Sequence, residues 1–313
     1  MNFSDVLAAF GVAVAVTLEL QFCNGRAEFC DTKYSNVSLI GTHNAPFVGD
    51  INNGFVDQGK TVTEQLDAGI RFLTGQTHKS ASNDAVAPLE ELYMCHTSCA
   101  FFNAGKLVDY LTTVNDWVAA HPDEVVTLLL TNGDDVDVTA FEPAFEQSGI
   151  KNLTFVPSTS PNKLPMNQWP TYAQMIASGK RVVVFLDYKA NETEVPYILD
   201  EFTYYFETPF SQTDPTFSEC NLDRPANGTA DGRMYIVNHV LDKDLIPGDG
   251  DILVPDVEPD YAVNAATGNG SIGSQSDLCT SKWGRVPNVI LVDRFDRGDV
   301  FTAQNNLNDI SSA

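Results

Sequence analysis

Short apolar runs alternate along this chain with stretches of helical periodicity. The runs fall at residues 37–41, 70–73, 91–94, 125–130, 181–186, 234–237 and 289–292. Near-continuous apolar runs of this length predict strands buried on both faces, as a parallel sheet requires. Each gives way to polar residues: Thr42-His43-Asn44, Thr74-Gly75-Gln76-Thr77-His78, Cys95-His96, Asn132, Asp187, Asn238-His239 and Asp293. Helices are expected between them. Thr61 and Glu64 form a capping box that Gly69 closes, and residues 106–121 place Leu107, Leu111, Val114 and Val118 on one stripe before Pro122. Residues 139–149 and 172–179 each end on a glycine. Residues 153–156 are the candidate eighth strand, and residues 158–170 and 242–276 read as loops.

Strand followed by helix, repeated, argues for an α/β fold with a parallel sheet. The strand count favours a (β/α)8 TIM-type barrel, regular or distorted, over an open doubly wound sheet. The chain has 313 residues, of which 43% are hydrophobic, which suits one such domain over residues 23–313.

Charge and cysteine usage narrow the setting. A formal net charge of −24 excludes nucleic acid as a natural partner and leaves at most transient contact with an anionic membrane surface. Six cysteines suit disulfides in an oxidising compartment, with Cys23–Cys30, Cys95–Cys99 and Cys220–Cys279 as the expected pairs. Residues 1–22 contain an apolar run of signal-peptide length, and Asn-x-Ser/Thr sequons stand at Asn36, Asn152, Asn191, Asn227 and Asn269. The expected location is therefore extracellular, as a secreted glycoprotein. The sequence leaves the oligomeric state open.

The C-terminal ends of barrel strands form the active face. His43, His78, His96 and His239, four of the five histidines, fall at such ends, while His121 closes a helix. Two imidazoles across one pocket can act as general base and general acid, because imidazole titrates near neutral pH. With the first and last strands adjacent, Asp293 can orient His43; its alternative role is to cap the helix that follows.

Particular segments add a family resemblance. Leu39-Ile40-Gly41-Thr42-His43-Asn44 resembles the opening catalytic segment of the phosphatidylinositol-specific phospholipase C X-domain family. Gly69-Ile70-Arg71-Phe72-Leu73, Leu92-Tyr93-Met94-Cys95-His96, Ala120-His121-Pro122-Asp123-Glu124-Val125-Val126 and Val289-Ile290-Leu291-Val292-Asp293 resemble later segments in order. The resemblance runs from about Cys23 onward and is closest to secreted fungal-type members. It implies phosphodiester cleavage, with a phospholipid or inositol phosphodiester as partner. His43 would take a proton from the inositol 2-hydroxyl, His96 would protonate the leaving oxygen, and Asp293 would support His43. Asn44, Gln76, His78, Asn132, Asp187 and Asn238 are the candidate substrate-binding residues, with Asn44 and Gln76 as a neutral phosphate cradle.

The chain departs from the family pattern where charge matters. Thr74-Gly75-Gln76 stands where bacterial members carry a phosphate-neutralising arginine and calcium-dependent members carry acidic ligands. No cofactor and no metal are therefore expected. Four alternatives remain: Lys79 or another basic group reaching the phosphate, a different, less charged diester as substrate, a metal on His43, His78, His96 or Asp187, and a secreted inositol- or glycan-binding barrel without turnover.

Overall fold

The computed structural model describes residues 22–50, 52–79, 91–246 and 253–310. The expected signal segment falls almost wholly outside them. Eight parallel strands build the body: β1 (Leu39–Thr42), β2 (Phe72–Lys79), β5 (Val126–Asn132), β6 (Val182–Leu186), β7 (Ile198–Asp200), β8 (Tyr205–Glu207), β9 (Met234–Asn238) and β12 (Val289–Val292). They run in the order β7-β6-β5-β2-β1-β12-β9-β8. The expected TIM-like barrel is present in distorted form. Among the described residues no ladder joins β7 to β8, and the four-residue helix Glu201–Tyr204 spans that seam.

Side-chain parity divides each strand between two cores, because successive residues point to opposite faces. Leu39, Phe72, Leu129, Val183, Phe185, Ile236, Val289 and Leu291 belong to an inner cluster. Ile40, Leu73, Leu128, Leu130, Val184, Val237, Ile290 and Val292 belong to an outer cluster shared with helical residues such as Leu66, Leu111 and Val114. Tyr34, Trp169 and Tyr172 close the inner cluster at the N-terminal end of the strands, with Tyr34 stacked on Trp169 at 4.6 Å. Burying both faces explains why these strands read as unbroken apolar runs.

The helices form where the local chemistry asks for them. Helix Val62–Ala68 carries the Thr61–Glu64 capping box and ends on Gly69 at φ 114°, a conformation that glycine alone adopts cheaply. Leu107–Ala120 buries its apolar stripe, and Tyr172–Ser178 is capped by Thr171 and Gln174. All three expected disulfides are formed.

Three expectations need correction. Residues 153–156 form no barrel strand; Thr154 makes one isolated bridge to Val182. The missing strands are β7 and β8, three residues each, hidden in the sequence by the acidic residues around the seam. Next, β3 (Leu92–His96) is no parallel barrel strand. It pairs antiparallel with the part of β2 that overshoots the barrel, and β4 (Phe102–Lys106) pairs antiparallel with β3. Finally, residues 242–276 are not all loop: β10 (Asp242–Asp244) pairs with β11 (Leu253–Pro255), and helix Ile272–Trp283 begins inside the stretch.

Candidate active site

A cavity of about 420 Å³ opens at the C-terminal ends of the strands. Parity selects its lining. Inward residues continue to the rim as His43 after Leu39 and Gly41, Gln76 after Phe72 and Thr74, and Thr131 after Leu129. Asp187 follows Phe185 in the same way, and Asn238 follows Ile236. All of these line the cavity. Asp293 follows Leu291 in the same phase and lies directly behind His43, 5% exposed.

The acid–base end of the cavity contains two imidazole–carboxylate pairs. His43 Nδ1 lies 2.9 Å from Asp293 Oδ1. The parallel register of β1 on β12, Thr42 opposite Val292, places these residues side by side. His96 Nε2 lies 3.2 Å from Asp57 Oδ2, and Asp57 is fully buried. Asp57 comes from the loop after β1. It is held there because Gln58 donates to the carbonyls of His43 and Val292, and because the Arg294 N–H donates to the Asp57 carbonyl. Asn44, Thr97 and Arg294 beside these pairs adopt left-handed backbone at φ 49°, 59° and 43°. Such strain persists only where surrounding contacts fix it, and it concentrates at functional sites.

Charge coupling tunes this end. Burial pulls the His43 pKa down, but Asp293, with Asp57 and Asp242 behind it, raises it to about 9. Burial, then the neighbouring Asp57, pushes Asp293 above the usual carboxylate range, against the pull of His43. Asp242, on the β10–β11 hairpin over the cavity, is raised by burial and by Asp293 to about 6.

Asn44 and Gln76 are neutral donors in the same space. Asn44 is 2% exposed and its Nδ2 has no partner within the protein. Gln76 Oε1 accepts from the Thr97 N–H at 2.7 Å, which orients its amide NH2 as a donor.

The opposite end is built from Asp187, Glu201, Glu207, Arg224 and Asn238. Arg224 is ion-paired with Glu207 and lies against Phe210, 4.6 Å from the ring centre. Asn238 Nδ2 donates to Glu207 and to the Thr208 carbonyl. Asp187 Oδ1 accepts from the N–H groups of Asn132 and Tyr188, whereas its Oδ2 has no partner. Glu201 Oε1 and Arg224 Nε are likewise buried and unpartnered. Burial raises Asp187 to about 6; burial and Glu207 push Glu201 well above its ordinary value.

Two candidate binding residues fall elsewhere. His78 does not line the cavity: it sits on the overshoot of β2, against Gly133 and 3.3 Å from Asp134. Asn132 has the opposite parity to Thr131, and its side chain locks the next turn through Val136 and Tyr188. His239 also points outward, bonded to Gln275 and the Val263 carbonyl. Conversely, Asp57, Glu201, Glu207, Arg224 and Asp242 were missed, since they arrive from loops, the hairpin and the seam.

His43, Asp57 and Asp293 can bring one ligand atom each within 4.8 Å of one another. The His43 imidazole already faces Asp293, and Asp57 faces His96, so the arrangement suits proton transfer better than metal ligation.

The site therefore belongs to a distorted parallel barrel with paired histidines on its C-terminal rim. The chain is a member of the PI-PLC X family: the family model PI-PLC X 1 matches residues 29–308. It is 48% identical over 304 residues to "PI-PLC X domain-containing protein 1" of Arthroderma benhamiae, covering 97% of this chain and 94% of that one. It is 41% identical over 298 residues to an "Uncharacterized secreted protein" of the same organism, covering 92% of this chain and 64% of that one. The fold is similar to phosphatidylinositol-specific phospholipase C from Listeria monocytogenes, with TM-score 0.56, 13% identity and coverage of 90% and 96%. A mutant of the Staphylococcus aureus enzyme gives TM-score 0.57 at 10% identity, with coverage of 90% and 95%.

Proposed function

We propose that this chain is a secreted phosphodiesterase that cleaves phosphatidylinositol or a related inositol phosphodiester, using His43 and His96 as the acid–base pair. The observation that carries the reading is that both imidazoles, each backed by a buried aspartate, face one cavity. Asp293 occupies His43 Nδ1, so Nε2 is the atom that takes the proton from the attacking hydroxyl. Asp293 then stabilises the imidazolium. A hydroxyl next to the phosphorus is an intramolecular nucleophile of high effective concentration. His96, its Nε2 held by Asp57, donates its own proton from Nδ1, the atom that faces the Thr97 hydroxyl at 3.1 Å, to the leaving oxygen as the phosphorus–oxygen bond to it breaks, and a cyclic inositol phosphate results.

Neutral donors from Asn44 and Gln76 cradle the phosphate, and the far end of the cavity reads the polyol. There, unpartnered oxygens on Asp187 and Glu201 accept from hydroxyls, beside the Arg224–Glu207 ion pair. Phe55 meets the His96 ring edge-on and stacks on Phe101, which is 59% exposed, an apolar margin suited to an acylglycerol leaving group and to brief contact with a lipid surface. The three disulfides fit an extracellular location.

The test is phosphorus NMR on purified protein with phosphatidylinositol vesicles, with and without EDTA. Cyclic inositol phosphate that forms with wild type and disappears in His43→Ala and His96→Ala supports the reading. Binding of inositol without product from wild type would leave a binding barrel, and loss of product in EDTA would give the cluster around His43 to a metal.

A further inference from the structure

Arg294 directly follows Asp293 at the end of β12 and is 2% exposed. Its guanidinium binds Asp260 through two bonds, Nε to Oδ2 at 2.5 Å and Nη2 to Oδ1 at 3.1 Å. Nη2 also lies 3.7 Å from Asp293 Oδ2, and Nη1 lies 3.5 Å from the Val56 carbonyl. Its backbone N–H donates to the Asp57 carbonyl at 2.9 Å. Asn264 fixes the turn by donating to the carbonyls of Asp293 and Arg294, and Arg297 braces Asp260 at 3.0 Å. The residue therefore touches both segments that carry the carboxylates behind the histidines.

Those carboxylates need it. Asp57 and Asp293 are 0% and 5% exposed; Asp57 Oδ1 and Asp293 Oδ2 have no hydrogen-bond donor, and Asp57 Oδ2 has only His96 Nε2, at 3.2 Å. Two adjacent buried carboxylates repel each other and are costly without a compensating cation. The groups facing His43 are Asp293 on β12, Asp57 on the loop after β1 and Asp242 on the hairpin, so the balance is otherwise acidic. The electrostatic partners of Arg294 are Asp293, Asp260 and Asp57.

We propose that Arg294 is a positioning residue for the reaction: its buried guanidinium neutralises the Asp57–Asp293 carboxylate pair and pins both segments in place behind His43 and His96. The inference rests on the acid–base reading above. Removing a fixed buried cation raises the proton affinity of the acid–base groups facing it. His43 then holds its proton to higher pH.

The experiment is the pH profile of kcat/KM for Arg294→Met, Arg294→Lys and the double variant Arg294→Met/Asp260→Asn, which removes the stranded Asp260 charge. The acid limb is expected to move up by about one pH unit, a tenfold change in proton affinity, in both Met variants and to stay near wild type in the Lys variant. The same upward shift is expected in the His43 imidazole titration by NMR, which needs no turnover. An inactive wild type therefore overturns the acid–base reading through the phosphorus assay and leaves the Arg294 proposal to the titration. If the single Met variant unfolds, the double variant decides. An unchanged limb and an unchanged His43 titration in a folded Met variant overturn the proposal, because a merely structural arginine would alter stability and not proton affinity.

Discussion

The two ends of the cavity treat buried carboxylates differently. At the acid–base end, Asp293 and Asp57 each face an imidazole, and the Arg294 cation lies behind them. At the polyol end, Glu207 holds Arg224, but oxygens of Asp187 and Glu201 and the Nε of Arg224 have no partner. An unpartnered buried polar atom costs about 1–3 kcal/mol, which a native structure tolerates where a ligand repays it. Unpartnered atoms occur at both ends, Asn44 Nδ2 and oxygens of Asp57 and Asp293 among them, so the ends differ in what faces the carboxylates: imidazoles at one, Arg224 and further carboxylates at the other. Under the proposed function, the contrast separates chemistry from recognition within one space.

The strongest way to break the contrast is to remove an imidazole. His43→Ala or His96→Ala should lower kcat by about 10²–10⁴-fold while a headgroup analogue such as inositol still binds, measured by turnover and calorimetry. Loss of binding with preserved kcat would place recognition at the wrong end. Next in size is Arg224→Met, which strands Glu207. We expect kcat/KM to fall by about tenfold to a hundredfold, with a stability loss of about 1–3 kcal/mol that Glu207→Gln in the same chain partly restores. Chemical denaturation and kinetics of the three variants measure both effects.

Proton affinity sharpens the acid–base end. If His43 is the base, it must first lose the proton it holds up to about pH 9, so kcat/KM should climb nearly tenfold per pH unit from about 7 toward that value. A profile falling across this range would assign His43 as the acid instead. The sign for stability is opposite. The folded pKa of His43 lies above its unfolded value of about 6.5, so the stabilisation from its pair with Asp293 is fully present below that pH. It is lost as pH rises through about 9, and melting temperatures of wild type and Asp293→Asn should converge there.

Smaller effects mark the boundary of the site. Asp187→Asn keeps the bonds of its oxygen to two backbone N–H groups but exchanges the free acceptor for a donor, and should raise KM several-fold with little change in kcat. His78→Ala should leave kinetics unchanged, because the ring packs on Gly133 away from the cavity. A His78 variant with altered KM would extend the recognition end across the β2 overshoot.

Much of this site was legible in the strands. The runs ending at His43, Gln76, Asp187, Asn238 and Asp293 carry an inward parity that continues into the cavity. The same rule, applied from Leu129 and Ile236, turns Asn132 and His239 outward, so their exclusion was available in the pattern although their position at strand ends suggested otherwise. His78 shares the inward phase but lies beyond the barrel, and only the length of β2 shows that. The two short strands at the seam were not legible. Three-residue strands carry too little periodicity, and Asp200, Glu201 and Glu207 look like a solvated stretch until packing buries Glu201 and Glu207.

By itself, the order of residues determined a parallel barrel, the rim on which the polar residues gather, and the two local disulfides Cys23–Cys30 and Cys95–Cys99, because alternation, helix caps and close cysteine spacing act over short distances. Only the tertiary structure decided that Asp57 stands behind His96, that Arg294 touches the segments of both carboxylates, and that Arg224 reaches the cavity beside Glu207. These groups lie on loops or just past a strand, and where such side chains settle depends on packing between segments far apart in the chain, for which local sequence carries no period.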